Sequence, residues 1–457
     1  MKNNNNFKKV SGFNDKFSDE VSITNQLDSK FFDFTTLWGY EKIDTPIIER
    51  SSIFSRKSGS SIGSNIYNFI DPSGSEVSLR ADFTTSIIRS YIENELSPNE
   101  MRFSYSGEIY KYDSNMNKNY SHQNGVEFIG SKSLYSDLEI VAMAKLFVST
   151  LLDDIKISIG HVGVLIDVIE HFQLSGRVGM FLLQNIDFIK NESSNDEILI
   201  KAQKNGIDFN NKTDESNSTN DEISKILDFT FHKDENFKQT RNDLSIVEGL
   251  KNKISKNVSK DKFFDCLDIL RPLVNIGGGL EESISEANKI LSKISTTNNL
   301  RNLYDLANNL NLYGIEESDV SVSFGLVREW GYYTGFVFNI LSSENKIIGG
   351  GGRYDSLGLS LGENLSATGF AIDSEIVFSR LKENHEILNR KKILVYISDQ
   401  KDLNEAIDTC KNERNKGNIV LLKSSPENFD EIKKWSLDNN ISEVLFFENN
   451  KIKRSKV

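Results

Sequence analysis

The chain has 457 residues, of which 38% are hydrophobic and 26% charged, the balance of a soluble globular protein with two or three domains. A net charge of −12 argues against a protein that coats nucleic acid, although a local basic patch stays compatible with binding RNA. The two cysteines and five histidines have no metal-ligand spacing, no apolar run reaches the ~18 residues of a membrane span, and no apolar core follows Lys8-Lys9, so a reduced, cytoplasmic protein without metal, cofactor or membrane contact is expected.

Residues 1–10 carry an asparagine run and read as a frayed terminus. An amphipathic helix is expected over 17–38, ending at Gly39, and a strand over 41–48 that contains Pro46 and is therefore an edge or interface strand. Residues 65–70 and 76–80 read as a hairpin around Asp71-Pro72-Ser73-Gly74. A helix follows over 84–94, then antiparallel strands over 101–112 and 125–130 joined by a polar loop at 113–121. A helix over 137–152 leads to a short strand at 156–159. Residues 192–262 are so polar that they read as a helical insertion with flexible connections and not as core, within a helical region spanning about 175–312. Helices over 281–294 and 299–311 precede antiparallel strands over 321–355 and a closing strand and helix over 369–381. From residue 391 the pattern becomes β-α-β-α-β, a separate small α/β domain that follows a core domain of 1–390. The basic tail at 451–456 reads as a solvated end.

Two segments carry chemistry. Gly325-Leu326-Val327-Arg328-Glu329-Trp330-Gly331-Tyr332-Tyr333-Thr334-Gly335 places one cation and two phenols on what reads as a strand, and Gly349-Gly350-Gly351-Gly352-Arg353-Tyr354-Asp355 follows about a dozen residues later. An arginine fork suits a small carboxylate, and glycines opposite it let backbone approach a ligand. Tyr332 and Tyr333 are expected to alternate faces, one in the core and one in a pocket. Arg328 could equally be a plain ion-pair partner, and Gln123 and Glu127, four apart on a strand, a polar surface stripe. The glycine run lacks the Lys-Ser/Thr of a phosphate loop and reads better as close strand packing.

In order, these segments resemble the class II aminoacyl-tRNA synthetase core of the histidyl type over residues 11 to about 381. Gly12-Phe13-Asn14-Asp15 is similar to its N-terminal turn, and Trp38-Gly39-Tyr40-Glu41-Lys42-Ile43-Asp44-Thr45-Pro46 to its dimer-forming motif 1. Leu79-Arg80-Ala81-Asp82-Phe83-Thr84 resembles its ligand-binding segment, His122-Gln123-Asn124-Gly125-Val126-Glu127 the end of motif 2, and Gly369-Phe370-Ala371-Ile372-Asp373-Ser374-Glu375-Ile376 motif 3. The resemblance implies an α+β fold: an antiparallel sheet core flanked by helices, with a helical insertion and a small C-terminal α/β domain. It also implies a histidine site of Asp82, Thr84 and Gln123 around the α-amino group, Glu127 and Tyr333 at the imidazole, and Arg328 on the carboxylate side, with Lys111 and Tyr332 beside them.

The departures point to a subtype. Lys111, Ile376 and Asn14 stand where the family has arginines, and isoleucine offers nothing to a phosphate. Retained amino-acid ligands with lost ATP ligands resemble the family's non-catalytic paralogue, the regulatory subunit of ATP phosphoribosyltransferase, as does Ile159-Gly160-His161-Val162-Gly163. That subtype implies no catalytic residue, no tRNA, L-histidine as effector, self-dimerisation through motif 1, and a hetero-oligomer with the short-form HisG catalytic subunit of histidine biosynthesis. A divergent synthetase and a scaffold with a vestigial pocket remain alternatives.

Overall fold

Ten residues of ladder, from Met101↔Ile129 to Tyr110↔Tyr120, join two long strands of a large sheet. The computed structural model describes the chain except residues 1–7, 56–64, 98, 113–117, 192–193, 210–258, 295–297, 329–331, 382–390, 425–428, 449–450 and 457. The frayed terminus and most of the polar insertion expected from sequence therefore lie outside the described residues. The chain divides into two units, Met1–Glu383 and Asn384–Val457.

In chain order the first unit has strands β1 Glu41–Lys42, β2 Ile48–Arg50, β3 Asn68–Ile70, β4 Glu76–Leu79, β5 Met101–Tyr110, β6 Tyr120–Ile129, β7 Lys156–His161, β8 Gly277–Gly278, β9 Val320–Ser323, β10 Phe336–Leu341, β11 Ile347–Arg353 and β12 Ala367–Asp373. Nine form one sheet in the order β1-β5-β6-β12-β11-β10-β7-β9-β8, and β2-β4-β3 form a small second sheet. The run from β5 to β7 is antiparallel, the sheet core expected from sequence, and parallel pairs add β1 on β5 and β9 on β7 at its two sides.

One sheet face is packed by helices. Leu134–Ser149 buries Ile140, Val141, Met143, Ala144, Phe147 and Val148 against Val126, Phe128, Ile157, Ile159, Phe338, Ile340 and Phe370. Phe31 of the helix Ser18–Leu37 meets Phe147 edge-on with ring centroids 5.0 Å apart. The opposite face carries a smaller cluster of Phe83, Ile87, Ile88, Tyr91, Tyr105, Ile109, Tyr332, Tyr354 and Leu357.

Several local expectations change. The strand at 41–48 is broken: Pro46 has no N–H for a ladder, and the chain forms β1 and β2 on either side of it in different sheets. The second strand of the central hairpin begins at Tyr120, because its polar residues pair across with β5 all the way to Tyr110. β7 runs on to His161 because Phe336 and Val337 pair with His161 and Gly160. Part of the insertion is core after all. The helix Asn195–Lys204 starts with a Ser194/Glu197 capping box and buries Ile198, Leu199 and Ala202, and Phe209 packs on Phe263 at 4.8 Å between centroids.

The second unit has β13 Lys392–Ile397, β14 Ile419–Ser424, β15 Glu443–Glu448 and β16 Lys451–Lys456, in the order β14-β13-β15-β16. The first three are parallel, with helices Leu403–Asn415 and Phe429–Asp438 between them. After Lys392, β13 is an unbroken apolar run because both faces are covered: Val395 packs toward Ala406 and Cys410, Leu394 and Tyr396 toward Ile432. Residues 451–456 are not a free tail but a fourth strand, antiparallel to β15. The periodicity of Lys451-Ile452-Lys453-Arg454 hid it, since its alternation is weak and its charge dominates.

Candidate functional site

A cavity of about 310 Å³ opens on the face of the sheet away from the long helices, with room for one small molecule. It is lined by all eight residues singled out from sequence: Asp82, Thr84, Lys111, Gln123, Glu127, Arg328, Tyr332 and Tyr333. They come from four places in the chain. Alternation along β6 turns Gln123 and Glu127 to the cavity and sends His122 to the other face, where its Nε2 meets Asp28 and Ser106, each at 3.0 Å.

Asp82 caps the helix Phe83–Glu93, its Oδ1 accepting from the Thr85 N–H at 2.6 Å. The cap fixes the carboxylate at the cavity wall, only 5% exposed, while its Oδ2 is buried without a hydrogen-bond partner. A buried acceptor with no donor is costly, and a ligand ammonium would supply one.

Glu127 is the most enclosed acid of the site, at 1% exposure. Thr84 Oγ1 donates to its Oε1 at 2.7 Å, Tyr105 reaches the same oxygen at 3.4 Å, and the Tyr354 hydroxyl donates to Oε2. Burial pushes its carboxyl up to about 8 against the pull of these hydroxyls. Gly369 stands directly across from Glu127 in β12, and a Cβ there would collide with Oε2, so the glycine makes the room the carboxyl occupies.

Because the folded-state value lies above the ordinary 4.5, the empty pocket holds a proton there that the unfolded chain gives up as pH rises. The cost of burying Glu127 is therefore absent below about 4.5, grows up to about 8 and then levels off. The wild type should accordingly lose melting temperature relative to Glu127→Gln over this window, measured by thermal unfolding at pH 5, 6.5 and 8. Parallel curves for the two proteins would refute the buried, protonated state.

Arg328 does not lie on a strand. Residues 326–328 belong to no helix or strand, and Arg328 Nη1 donates to Asn339 Oδ1 at 2.5 Å and to the Phe338 carbonyl at 3.3 Å. Among the described residues no acid lies within ion-pair distance of it, so the plain ion-pair reading has no support there. A Cβ on Gly350 would collide with its Nη1. Tyr332 and Tyr333 do not alternate faces, because no strand holds them: their rings touch at 4.8 Å and both line the cavity, Tyr332 also belonging to the buried cluster. Burial pushes the Tyr333 phenol up and the Arg328 guanidinium pulls the other way.

Sequence reasoning left out Tyr105, Asn339 and Tyr354. Asn339 had a signal, as the lone polar side chain in Phe336-Val337-Phe338-Asn339-Ile340-Leu341. Arg353, beside Tyr354, turns away from the cavity: it pairs with Asp137 at 2.5 Å and Asp355 at 3.2 Å and donates to the Ser131 carbonyl at 2.9 Å. The described residues contain no group of three or more His, Cys, Asp or Glu placed to hold a metal ion, and no helix among them is long and apolar enough to cross a membrane.

The Asp82 carboxylate, the protonated acid of Glu127 and the Arg328 guanidinium together complement a small zwitterion that carries a further polar group. The family model described as histidyl-tRNA synthetase matches residues 12–187 and 240–377. The histidine–tRNA ligase of Sulfolobus acidocaldarius is 29% identical over 426 residues, 91% of this chain and 84% of that protein. That of Methanococcus vannielii is 26% identical over 461 residues, 99% and 94% of the two chains. Among solved structures, an ATP phosphoribosyltransferase regulatory subunit/histidyl-tRNA synthetase from Bacillus halodurans shares the fold with a TM-score of 0.67 at 21% identity, covering 96% of this chain and 98% of that one. Apo histidyl-tRNA synthetase of S. aureus superposes with a TM-score of 0.58 at 18% identity, covering 98% and 95%.

Proposed function

The chain belongs to the histidyl-tRNA synthetase family, and we propose that it is a non-catalytic member: a regulatory and activating subunit of ATP phosphoribosyltransferase that senses histidine in this cavity. One observation carries the reading. The groups suited to a free amino acid surround a single cavity, whereas the two positions where the family neutralises a triphosphate hold Lys111 and Ile376, the latter half-buried against apolar core. In this reading Asp82 Oδ2 takes the ammonium, Arg328 the carboxylate, and Glu127 with Tyr333 the imidazole, while Thr84, Gln123, Lys111 and Tyr332 complete the wall.

Regulation requires that histidine favour one state of a complex with the short catalytic subunit, with a coupling of about 1–3 kcal/mol. The protein would work in the cytoplasm, without tRNA, and would self-associate through the motif 1 region. There Ile48 and Phe69 share one face of the small sheet β2-β4-β3 and are both exposed, apolar side chains that suit contact with a second copy.

A histidine–tRNA ligase is the competing reading, favoured by the names of the relatives found by sequence. The test mixes the purified chain with short-form catalytic subunit, ATP and phosphoribosyl pyrophosphate, with and without histidine, and separately assays histidine-dependent ATP–pyrophosphate exchange. Restored and histidine-inhibited transferase activity without exchange is the expected result. Exchange by the chain alone would replace this reading with the synthetase.

A further inference from the structure

Phe336, Phe338 and Ile340 of β10 turn to the helix-packed core. Alternation sends Asn339 to the other face, where it lines the cavity at 8% exposure. Its partner across the ladder is Gly350, the glycine whose missing Cβ leaves room for Arg328 Nη1. The cross-strand pair is therefore one polar side chain and one gap, and the guanidinium reaches the first through the second.

Arginine only donates, so the amide oxygen of Asn339 must face it, and Oδ1 accepts from Nη1 at 2.5 Å. That fixes the other end of the amide. Nδ2 has no partner among the described residues, and its two N–H bonds are left for an occupant of the cavity. A polar side chain this buried in an otherwise apolar strand calls for partners at both ends.

The two acceptors that hold Arg328, Asn339 Oδ1 and the Phe338 carbonyl at 3.3 Å, are both neutral. They orient the fork without cancelling its charge. A carboxylate at position 339 would form an ion pair in the empty protein. An incoming carboxylate would then meet a matched cation and a like charge beside it.

We propose that Asn339 is a positioning and specificity-determining residue: it aims the Arg328 fork with a neutral oxygen and offers its own N–H bonds beside it, so that this end of the cavity selects a carboxylate over an uncharged group of similar size. The inference rests on reading the cavity as a free-histidine site, and it adds the residue that keeps the positive charge of Arg328 available to the ligand.

The test titrates the full chain by calorimetry with L-histidine and with L-histidinol, which keeps the ammonium and the imidazole and carries a hydroxymethyl where histidine has its carboxylate. Asn339→Asp retains the oxygen that Arg328 needs, so the fork stays in place. It should nevertheless lower histidine affinity about a hundredfold while histidinol binds as well as before or better. Asn339→Leu, close in size, removes both the tether and the donor and should lower histidine affinity about tenfold, again with little change for histidinol. The ratio of the two affinities is the quantity to compare, because a merely loosened pocket would weaken both ligands alike. A ratio that stays at the wild-type value in both variants, whether the affinities hold or fall together, would overturn the proposal. Wild type that binds neither ligand would remove the histidine site itself, and this inference with it.

Discussion

Gly351→Ala is expected to destabilise the first unit by about 3 kcal/mol or more, a large share of the roughly 5–15 kcal/mol that holds an ordinary domain folded. Gly351 sits in β11 between β10 and β12, and a Cβ built on it comes within 2.7 Å of Phe370 Cα and 2.8 Å of the Gly369 carbonyl carbon, with the Gly369 oxygen closer still. Real Cβ atoms do not approach backbone this closely, and backbone held by ladder hydrogen bonds on both sides cannot step back as a flexible side chain would. The strand would have to leave the sheet or carry β12 with it. Gly176→Ala is the control: it lies in the helix Gly176–Gln184 with nothing within 4 Å of the new methyl, and its effect should stay within about 0.5 kcal/mol. Urea unfolding of the three proteins decides the matter, and near-equal midpoints would show that the glycine run is dispensable.

Arg328→Ala should weaken histidine binding about a hundredfold, the loss of charge-assisted hydrogen bonds of about 1.5–3 kcal/mol together with the stranded ligand carboxylate. The side chain is already held in place by Asn339 and the Phe338 carbonyl, so little ordering is needed when a ligand arrives. Arg328→Lys separates charge from geometry. Lysine keeps the charge but cannot present a planar fork, and it should recover only a small part of the affinity. Histidine titration by calorimetry measures all three. Full affinity in Arg328→Lys would reduce the arginine to a distant point charge, and full affinity in Arg328→Ala would remove it from the site.

The eight cavity residues were legible because the segments that hold them resemble the histidyl-type core in the same order, and the resemblance carried the residues across position by position. Gln123 and Glu127, four apart, also announce a shared strand face by spacing alone. Elements whose signal is local came through in the same way, as with the helix Phe83–Glu93 and the hairpin around Asp71. What failed needed tertiary information. The stretch holding Arg328 and the two tyrosines has strand-like composition, but its neighbours in the sheet are already paired with each other: β10 takes β7 and β11, leaving no edge for it. The parallel pairing of β9 with β7 joins residues more than 150 positions apart, beyond any periodicity. Tyr105 entered the site through packing on Phe83, with rings stacked 4.4 Å apart, and nothing in its own segment marks it. Ile198 to Phe209 looked too polar for a core because the apolar residues there are few, yet most of those few are the ones buried.

The fourth strand of the second unit has a bearing on solubility. A three-stranded parallel sheet ending at β15 would present the row Glu443-Val444-Leu445-Phe446-Phe447 as an open template on which another polypeptide could zip up. β16 covers that row and replaces it with a rim bearing Lys453, Arg454 and Lys456. Two such rims repel each other, so the short basic strand acts as a guard against fibrous self-assembly, and shortening the chain by these few residues would uncover an apolar edge of the domain.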